Sequence, residues 1–447
     1  MRTAARYPAV VLLLAAGVVG CVGDDAVSDH ETTARTVTTT AAPASSGGPA
    51  VATTRDAALE AAFEFAECMR DHGIDDFADP QVRPDGDFLL SPPADVGDDE
   101  LAVADATCAP IAAPFRTGSA SVENAGDDAA GWERIVPGGE CRCADGSEFS
   151  FWVREADPDR VLVYLEDGGV CFSAATCAPD RDLSTTAVGD GPIGAGGIFD
   201  LADDRNPFAD HSIVYVPYCT GDAHLGNITA EYAPGLTVHH MGLVNGTAAL
   251  DHVVATAGRP SEVVVVGESA GAIAAPLYAG LIADRLPDAR ITVLADGSGS
   301  YPDGPRIDDI ITAWGLGTIA PPWLDGAGST PEWWSVAGMF VASGRHHPDI
   351  VFARHDYAYD EQQQQWYPIV GLPATDLLAL IDANEAQIEA AGVDLVSYVA
   401  PGAEHTALSD GTFYTEEVDG RPLHEWVTRL VTGGPVDDVH CTDCSGG

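Results

Sequence analysis

Ser269 follows a run of four valines in Val263-Val264-Val265-Val266-Gly267-Glu268-Ser269-Ala270-Gly271, whose last five residues fit Gly-x-Ser-x-Gly. After a buried strand and before a helix of small residues, this pattern builds a turn that thrusts a serine hydroxyl out at the strand's end. The flanking glycines leave room for so tight a turn. A serine needs a base, and the base an orienting acid, in the order Ser, Asp or Glu, His along this kind of chain. His405, in Pro401-Gly402-Ala403-Glu404-His405, lies late in the sequence on a loop after a strand and is the candidate base. Asp356 and Asp360 both follow the preceding strand, and spacing does not separate them; Asp296, after an earlier strand, is a further candidate acid. His424 lacks the second histidine of a zinc-binding HExxH, and Arg345-His346-His347 precedes its strand. The competing reading of Ser269 is an idle residue in a tight turn.

The elements that must place these side chains are legible as candidate strands at 148–155, 160–166, 212–217, 262–268, 290–296, 349–354 and 394–400. Several are continuously apolar, as strands covered on both faces are. Segments 247–258 and 270–286 read as helices between them. The alternation predicts an α/β fold, a mostly parallel sheet flanked by helices, over 132–447.

Five segments, Arg160–Cys177 ("RVLVYLEDGGVCFSAATC"), Ile213–Asn227 ("IVYVPYCTGDAHLGN"), "NGTAALDHV", "GESAGA" and "ADGSGSY", occur in the order seen in the pectin acetylesterase/Notum family of carboxylesterases, which the chain resembles from about Cys143 to His405. The resemblance implies an α/β-hydrolase fold with a Ser-Asp-His triad. Its acid sits in an Asp-Asp/Glu-x-Gln pattern that "YDEQQ" matches, which favours Asp360 and gives Ser269, Asp360 and His405. Backbone N–H donors for an oxyanion are expected from Ala270, the residue after the serine, and from Gly168 and Gly169. The family carries three glycines in that loop, whereas here Asp167 replaces the first, and Val170 stands where relatives carry Trp or Ala. Asp167 is expected to turn away from the site. The resemblance also implies a Cys171–Cys177 disulfide pinning this loop. Asp222, His224 and Asn245 lie in family motifs and read as scaffold or pocket rim.

Charge and cysteines bound the rest. The chain has 69 acidic residues against 21 basic ones, all arginine, for a net charge of −48. Electrostatic binding of nucleic acid or of anionic lipid headgroups is excluded on that balance. Residues 1–21 combine Arg2 and Arg6 with a short apolar run ending Val18-Val19-Gly20-Cys21, which resembles a bacterial lipobox. This predicts a lipoprotein signal peptide, lipidation at Cys21, and a protein held outside the cytoplasm by that lipid alone, or secreted. Residues 22–54 read as a disordered linker, 55–115 as a small helical module stapled by Cys68 and Cys108, and 116–131 as a second linker. Setting Cys21 aside leaves nine cysteines, so at least one is expected free or paired between chains, with Cys219 the candidate thiol. Cys143 is expected to bridge to Cys441 or Cys444. The Cys141/Cys143 and Cys441/Cys444 spacings are weak for zinc, and no metal or cofactor is expected.

The function these readings predict is a serine carboxylesterase that hydrolyses O-acyl esters through an acyl-enzyme, with O-acetyl groups on a carbohydrate favoured. The alternatives are an amidase or thioesterase using the same three residues, and a catalytically silent lipoprotein that binds a glycan or a partner, which Asp167 and Val170 favour.

Overall fold

Val263–Val266 are buried completely, and that burial sets the architecture. A strand with no polar face must be covered on both sides, and here the chain builds a nine-stranded sheet to do so. In this computed structural model the described residues are 131–444, without 182, 190, 193–195, 303, 325–334 and 374–375, and before them 65–66, 68–70, 72–74, 77, 81–82, 88–89 and 108.

The strands of the large sheet are β1 (Trp132–Ile135), β2 (Phe151–Arg154), β3 (Asp157–Leu165), β4 (His211–Val216), β5 (Glu262–Glu268), β6 (Arg290–Asp296), β7 (Val351–Tyr357), β8 (Leu395–Ala400) and β9 (Val439–His440). Their spatial order is β9-β8-β7-β6-β5-β3-β4-β2-β1. The pairs β5–β3, β5–β6, β6–β7, β7–β8, β8–β9 and β3–β4 are parallel, and β2 pairs antiparallel with β4. Register aligns Gly267 with Leu165 and Glu268 with Asp296 at the ends of neighbouring strands. Ligands in such sheets collect outside the carboxyl ends of the strands.

Helices α1 (Gly242–Thr256) and α2 (Ala270–Arg285) precede and follow β5. Helices α3 (Pro305–Ala313), α4 (Val336–His346), α5 (Glu361–Val370), α6 (Leu377–Ala390), α7 (Thr412–Thr415) and α8 (Leu423–Val431) complete the set among the described residues. α2 packs on β5, β6 and α4. Its close fit shows at Gly271, where a Cβ would lie 2.1 Å from the Leu165 carbonyl oxygen. The antiparallel pair Ile228–Ala233 with Leu236–His240, turned by Gly235 at φ +82°, is not legible as strands in the sequence, because its residues lack a continuous apolar run.

Two expectations about cysteines are corrected. Cys219 is bonded to Cys143, and Cys441 to Cys444, so Cys143 does not tie to the chain's end. The cause is local: the Ala144 N–H donates to the Cys219 carbonyl at 2.7 Å, which brings residue 143 beside 219. No thiol among the described residues is free, against the expectation from an odd count. The carboxyl end is held by backbone instead, with the Cys441 N–H on the Val399 carbonyl.

The chain divides into two compact units, with Glu133–Gly447 in the larger and the smaller ending at Trp132. In the smaller, Cys68 is bonded to Cys108 over a core of Phe65, Ala66, Met69, Ile74 and Phe77. Cys21 and the linkers 22–54 and 116–130 lie outside the described residues. No helix among the described residues is long and apolar enough to cross a membrane.

Candidate active site

Ser269 has φ +49° and ψ −112°, a left-handed conformation that is costly for a side-chain-bearing residue. The turn is held by its neighbours: the Ser269 N–H donates to the Asp296 carbonyl at 2.8 Å, and the Ser298 hydroxyl to the Ser269 carbonyl at 2.6 Å. A Cβ at Gly267 would lie 2.3 Å from the Gly271 carbonyl oxygen, so the glycines around the serine are a steric requirement. Ala270 is the first residue of α2, and its N–H has no carbonyl one turn back to receive it.

His405 and Asp360 are brought together across 45 residues, with His405 Nδ1 2.7 Å from Asp360 Oδ2. Asp360 is fully buried at the start of α5, where its Oδ1 accepts the Gln363 backbone N–H and its Oδ2 the Gln363 side-chain amide at 2.9 Å. Burial works against a charge on His405, but the hydrogen bond and charge of Asp360, with Asp296 and Asp167, raise its pKa above the ordinary imidazole value. His405 Nε2 is buried with no hydrogen-bond partner among the described residues, so the structure does not join it to the Ser269 hydroxyl. Such bonds are commonly long before substrate binds. The ring lies beside the serine's turn: a Cβ on Gly297 would sit 3.3 Å from His405 Cε1, and the next residue is Ser298.

The other two acids are committed elsewhere. Asp356 pairs with Arg354 at 2.9 Å and accepts the Gly299 N–H, and burial pushes its pKa up to about 6. Asp296 receives His355 Nδ1 at 2.7 Å and, on its other oxygen, the N–H groups of Ala407 and Leu408. Asp296 thus fixes the loop that carries His405, a role that spacing in the sequence does not reveal.

Gly169, Val170, Ser269, Ala270 and Ser298 line one pocket with Ile273, Tyr301, Ile307, Ile310, Ile311, Trp314, Val336, Trp366 and Val370. Gly168 is not in that lining; its carbonyl accepts the Thr185 N–H. Neither glycine tolerates a side chain, because a Cβ would come 2.3 Å from the Tyr218 ring at 168 and 2.2 Å from the Leu183 carbonyl oxygen at 169. The loop is pinned by the Cys171–Cys177 disulfide and by the Trp314 indole, which donates to the Cys171 carbonyl at 2.8 Å. Asp167 is not among the residues lining the pocket. Burial raises its pKa, and the charge of His405 opposes that rise.

Asp222, His224 and Asn245 make structural bonds. Asp222 accepts the Thr220 hydroxyl and the Gly242 N–H at the start of α1, His224 bonds the Glu166 carbonyl, and Asn245 bonds both backbone groups of Arg142. His424 sits on α8 near Phe413 and Tyr414. The apolar wall from α3, Trp314 and Trp366 was not read from the sequence, since no strand or motif flags it.

The profile of the family described as "PAE: Pectinacetylesterase" matches residues 136–312. The chain is 33% identical over 146 residues to a palmitoleoyl-protein carboxylesterase NOTUM of Schmidtea mediterranea, covering 30% of this chain and 26% of that one. It is 28% identical to an inactive palmitoleoyl-protein carboxylesterase notum1b of Danio rerio over 25% of this chain and 82% of that one. It thus spans about a quarter of the first of these relatives. A solved structure of the Wnt deacylase Notum from Drosophila superposes with a TM-score of 0.55 at 19% identity, over 70% of this chain and 97% of that one. These matches support the pectinacetylesterase/Notum family for the chain, on an α/β-hydrolase fold.

Proposed function

We propose that the chain is a serine carboxylesterase in which Ser269 attacks an acyl ester, His405 takes and returns the proton, and Asp360 holds the imidazole's tautomer and charge. The observation that carries the reading is the strained Ser269 turn opening onto the same pocket as Gly169 and Ala270, beside a His405–Asp360 pair. The N–H groups of Ala270 and Gly169 are the proposed donors to the tetrahedral oxyanion, with Gly168 shaping the loop; loss of one such donor costs about 2.7–4 kcal/mol. Water then releases the acid from the acyl-enzyme.

The pocket wall is aliphatic: Ile273, Ile307, Ile310 and Ile311 offer no hydrogen bonds and suit the hydrocarbon part of an acyl group, acetyl or longer. The names of the relatives, which specify a palmitoleoyl ester, support a long chain; a carbohydrate on the alcohol side is proposed on the family resemblance alone. The described disulfides favour a compartment outside the cytoplasm. Anchorage through a lipid on Cys21 is proposed from the lipobox pattern, and Cys21→Ser should release the protein from membranes.

The test is hydrolysis of p-nitrophenyl esters from two to sixteen carbons by the full chain and Ser269→Ala. Turnover that Ser269→Ala abolishes supports the reading. A second reading, binding without turnover, is favoured by Asp167 in the oxyanion loop and by similarity to a relative named as inactive. A folded protein with no turnover on any ester would establish it, whereas preferential cleavage of amides or thioesters would change the leaving group from an alcohol to an amine or a thiol.

A further inference from the structure

Asp284, His346 and His347 meet at the far end of α2, the helix that follows Ser269. His346 Nε2 and His347 Nε2 each lie 2.8 Å from the same oxygen, Asp284 Oδ1. The other carboxylate oxygen accepts the Trp323 indole N–H at 2.8 Å, and the Trp323 ring stacks on His346 with centroids 5.1 Å apart at 17°. Gly280 makes room for that indole, since a Cβ there would lie 2.7 Å from Trp323 Cη2. The cluster joins three parts of the chain: the last turn of α2, the last turn of α4 with His347 capping it, and the segment at Trp323.

We propose that Asp284, His346 and His347 bind one divalent transition ion of the zinc class. Two imidazoles and one carboxylate are the donors such ions prefer, and three protein ligands leave a fourth position for water. The three ligand atoms lie within 4.8 Å of one another. A tetrahedral zinc with bonds of about 2.0–2.1 Å needs its ligands about 3.3 Å apart, so each ring nitrogen would move about 0.5 Å away from the carboxylate oxygen. Binding requires each Nε2 lone pair to face the ion, with the ring proton on Nδ1. The Trp323 hydrogen bond orients the carboxylate, as outer partners of metal ligands commonly do. Three other groups of candidate ligands have comparable spacing, but each includes cysteines already bonded as disulfides.

The ion would be structural. Asp284 stands fifteen residues along α2 from Ser269, about 22 Å at the helical rise, too far to touch a reacting atom. It would clasp the ends of α2 and α4, two helices that already pack on each other.

The experiment is titration of the chelator-treated full chain with Zn2+ by calorimetry and by thermal melting, with Mg2+ in large excess. The excess Mg2+ screens diffuse binding to a chain of net charge −48. The expected result is one Zn2+ per chain and a rise in Tm. His346→Gln/His347→Gln should lose the site, and Trp323→Phe should weaken it about 10- to 100-fold. Both histidines are partly exposed, so the double variant should fold, which its circular dichroism checks. No saturable binding in excess Mg2+, or binding unchanged in the folded double variant, overturns the proposal; neither result touches the esterase reading.

Discussion

Gln363 and His405 converge on one oxygen: the Gln363 amide lies 2.9 Å and His405 Nδ1 2.7 Å from Asp360 Oδ2. The Gln363 carbonyl in turn accepts the Ser300 hydroxyl, so the glutamine ties the acid to the loop after β6. Asp360→Asn should lower kcat about 10⁴-fold, by analogy with loss of the acid in a serine protease triad. Gln363→Ala should cost far less, because it loosens the acid without removing it. Steady-state kinetics on a short ester separates these. If Asp356→Asn abolishes activity in a folded protein while Asp360→Asn does not, the assignment of the acid fails.

The pH profile follows from His405. A general base works as the neutral imidazole, and its pKa is raised by Asp360, Asp296 and Asp167 against the opposing effect of burial. Activity should therefore fall on the acid side with a midpoint above the ordinary value of 6.5. Asp167→Asn removes one negative neighbour and should move that midpoint down. A limb below 6.5 in the parent protein would contradict the charge balance described here.

Acyl length should be read by the apolar wall. Each methylene buried there is worth about 0.8 kcal/mol, or about fourfold in kcat/KM, until the pocket fills. Ile273→Trp fills space beside Ser269 and should depress long esters at least about tenfold more than acetate. A flat response to chain length in the parent would remove the pocket's assigned role.

The disulfides should rank by the loop each closes. Cys143–Cys219 spans 76 residues and Cys171–Cys177 only 6. On chain entropy the first is worth about 4 kcal/mol and the second about 2. Denaturant midpoints of the two paired Cys→Ser variants test this, and the shorter bridge should show more in activity, because it pins the loop of Gly169.

Stability should decline from mildly acidic to mildly alkaline pH. Burial pushes Glu268 up to about 8 and Glu166 up to about 7. The folded state therefore holds protons that the unfolded state has released above about 4.5, and this contribution is full below that pH and lost as pH rises through 7 and 8. Glu268 accepts the Tyr164 hydroxyl and the Ser409 N–H, so Glu268→Gln should keep the fold and flatten the slope. Melting curves from pH 5 to 9 that rise with pH would show the opposite linkage.

The sequence by itself determined the parallel sheet and the serine's turn. β-branched runs such as Val263–Val266 favour a strand covered on both faces, and β5 and β6 occupy the residues expected of them. Ser269 was legible because its turn is a local steric fact, carried by glycines within two residues. Spacing left open which of Asp356, Asp360 and Asp296 meets His405, and only the family pattern favoured Asp360. All three follow strands, and only packing shows Arg354 facing the first, His405 the second, and His355 with the Ala407–Leu408 backbone the third. Cysteine pairing was undecided for the same reason: a bond across 76 residues depends on which loops the sheet places side by side. Periodicity reports what a residue's own element demands, while a partner's identity is set by elements far away in the chain.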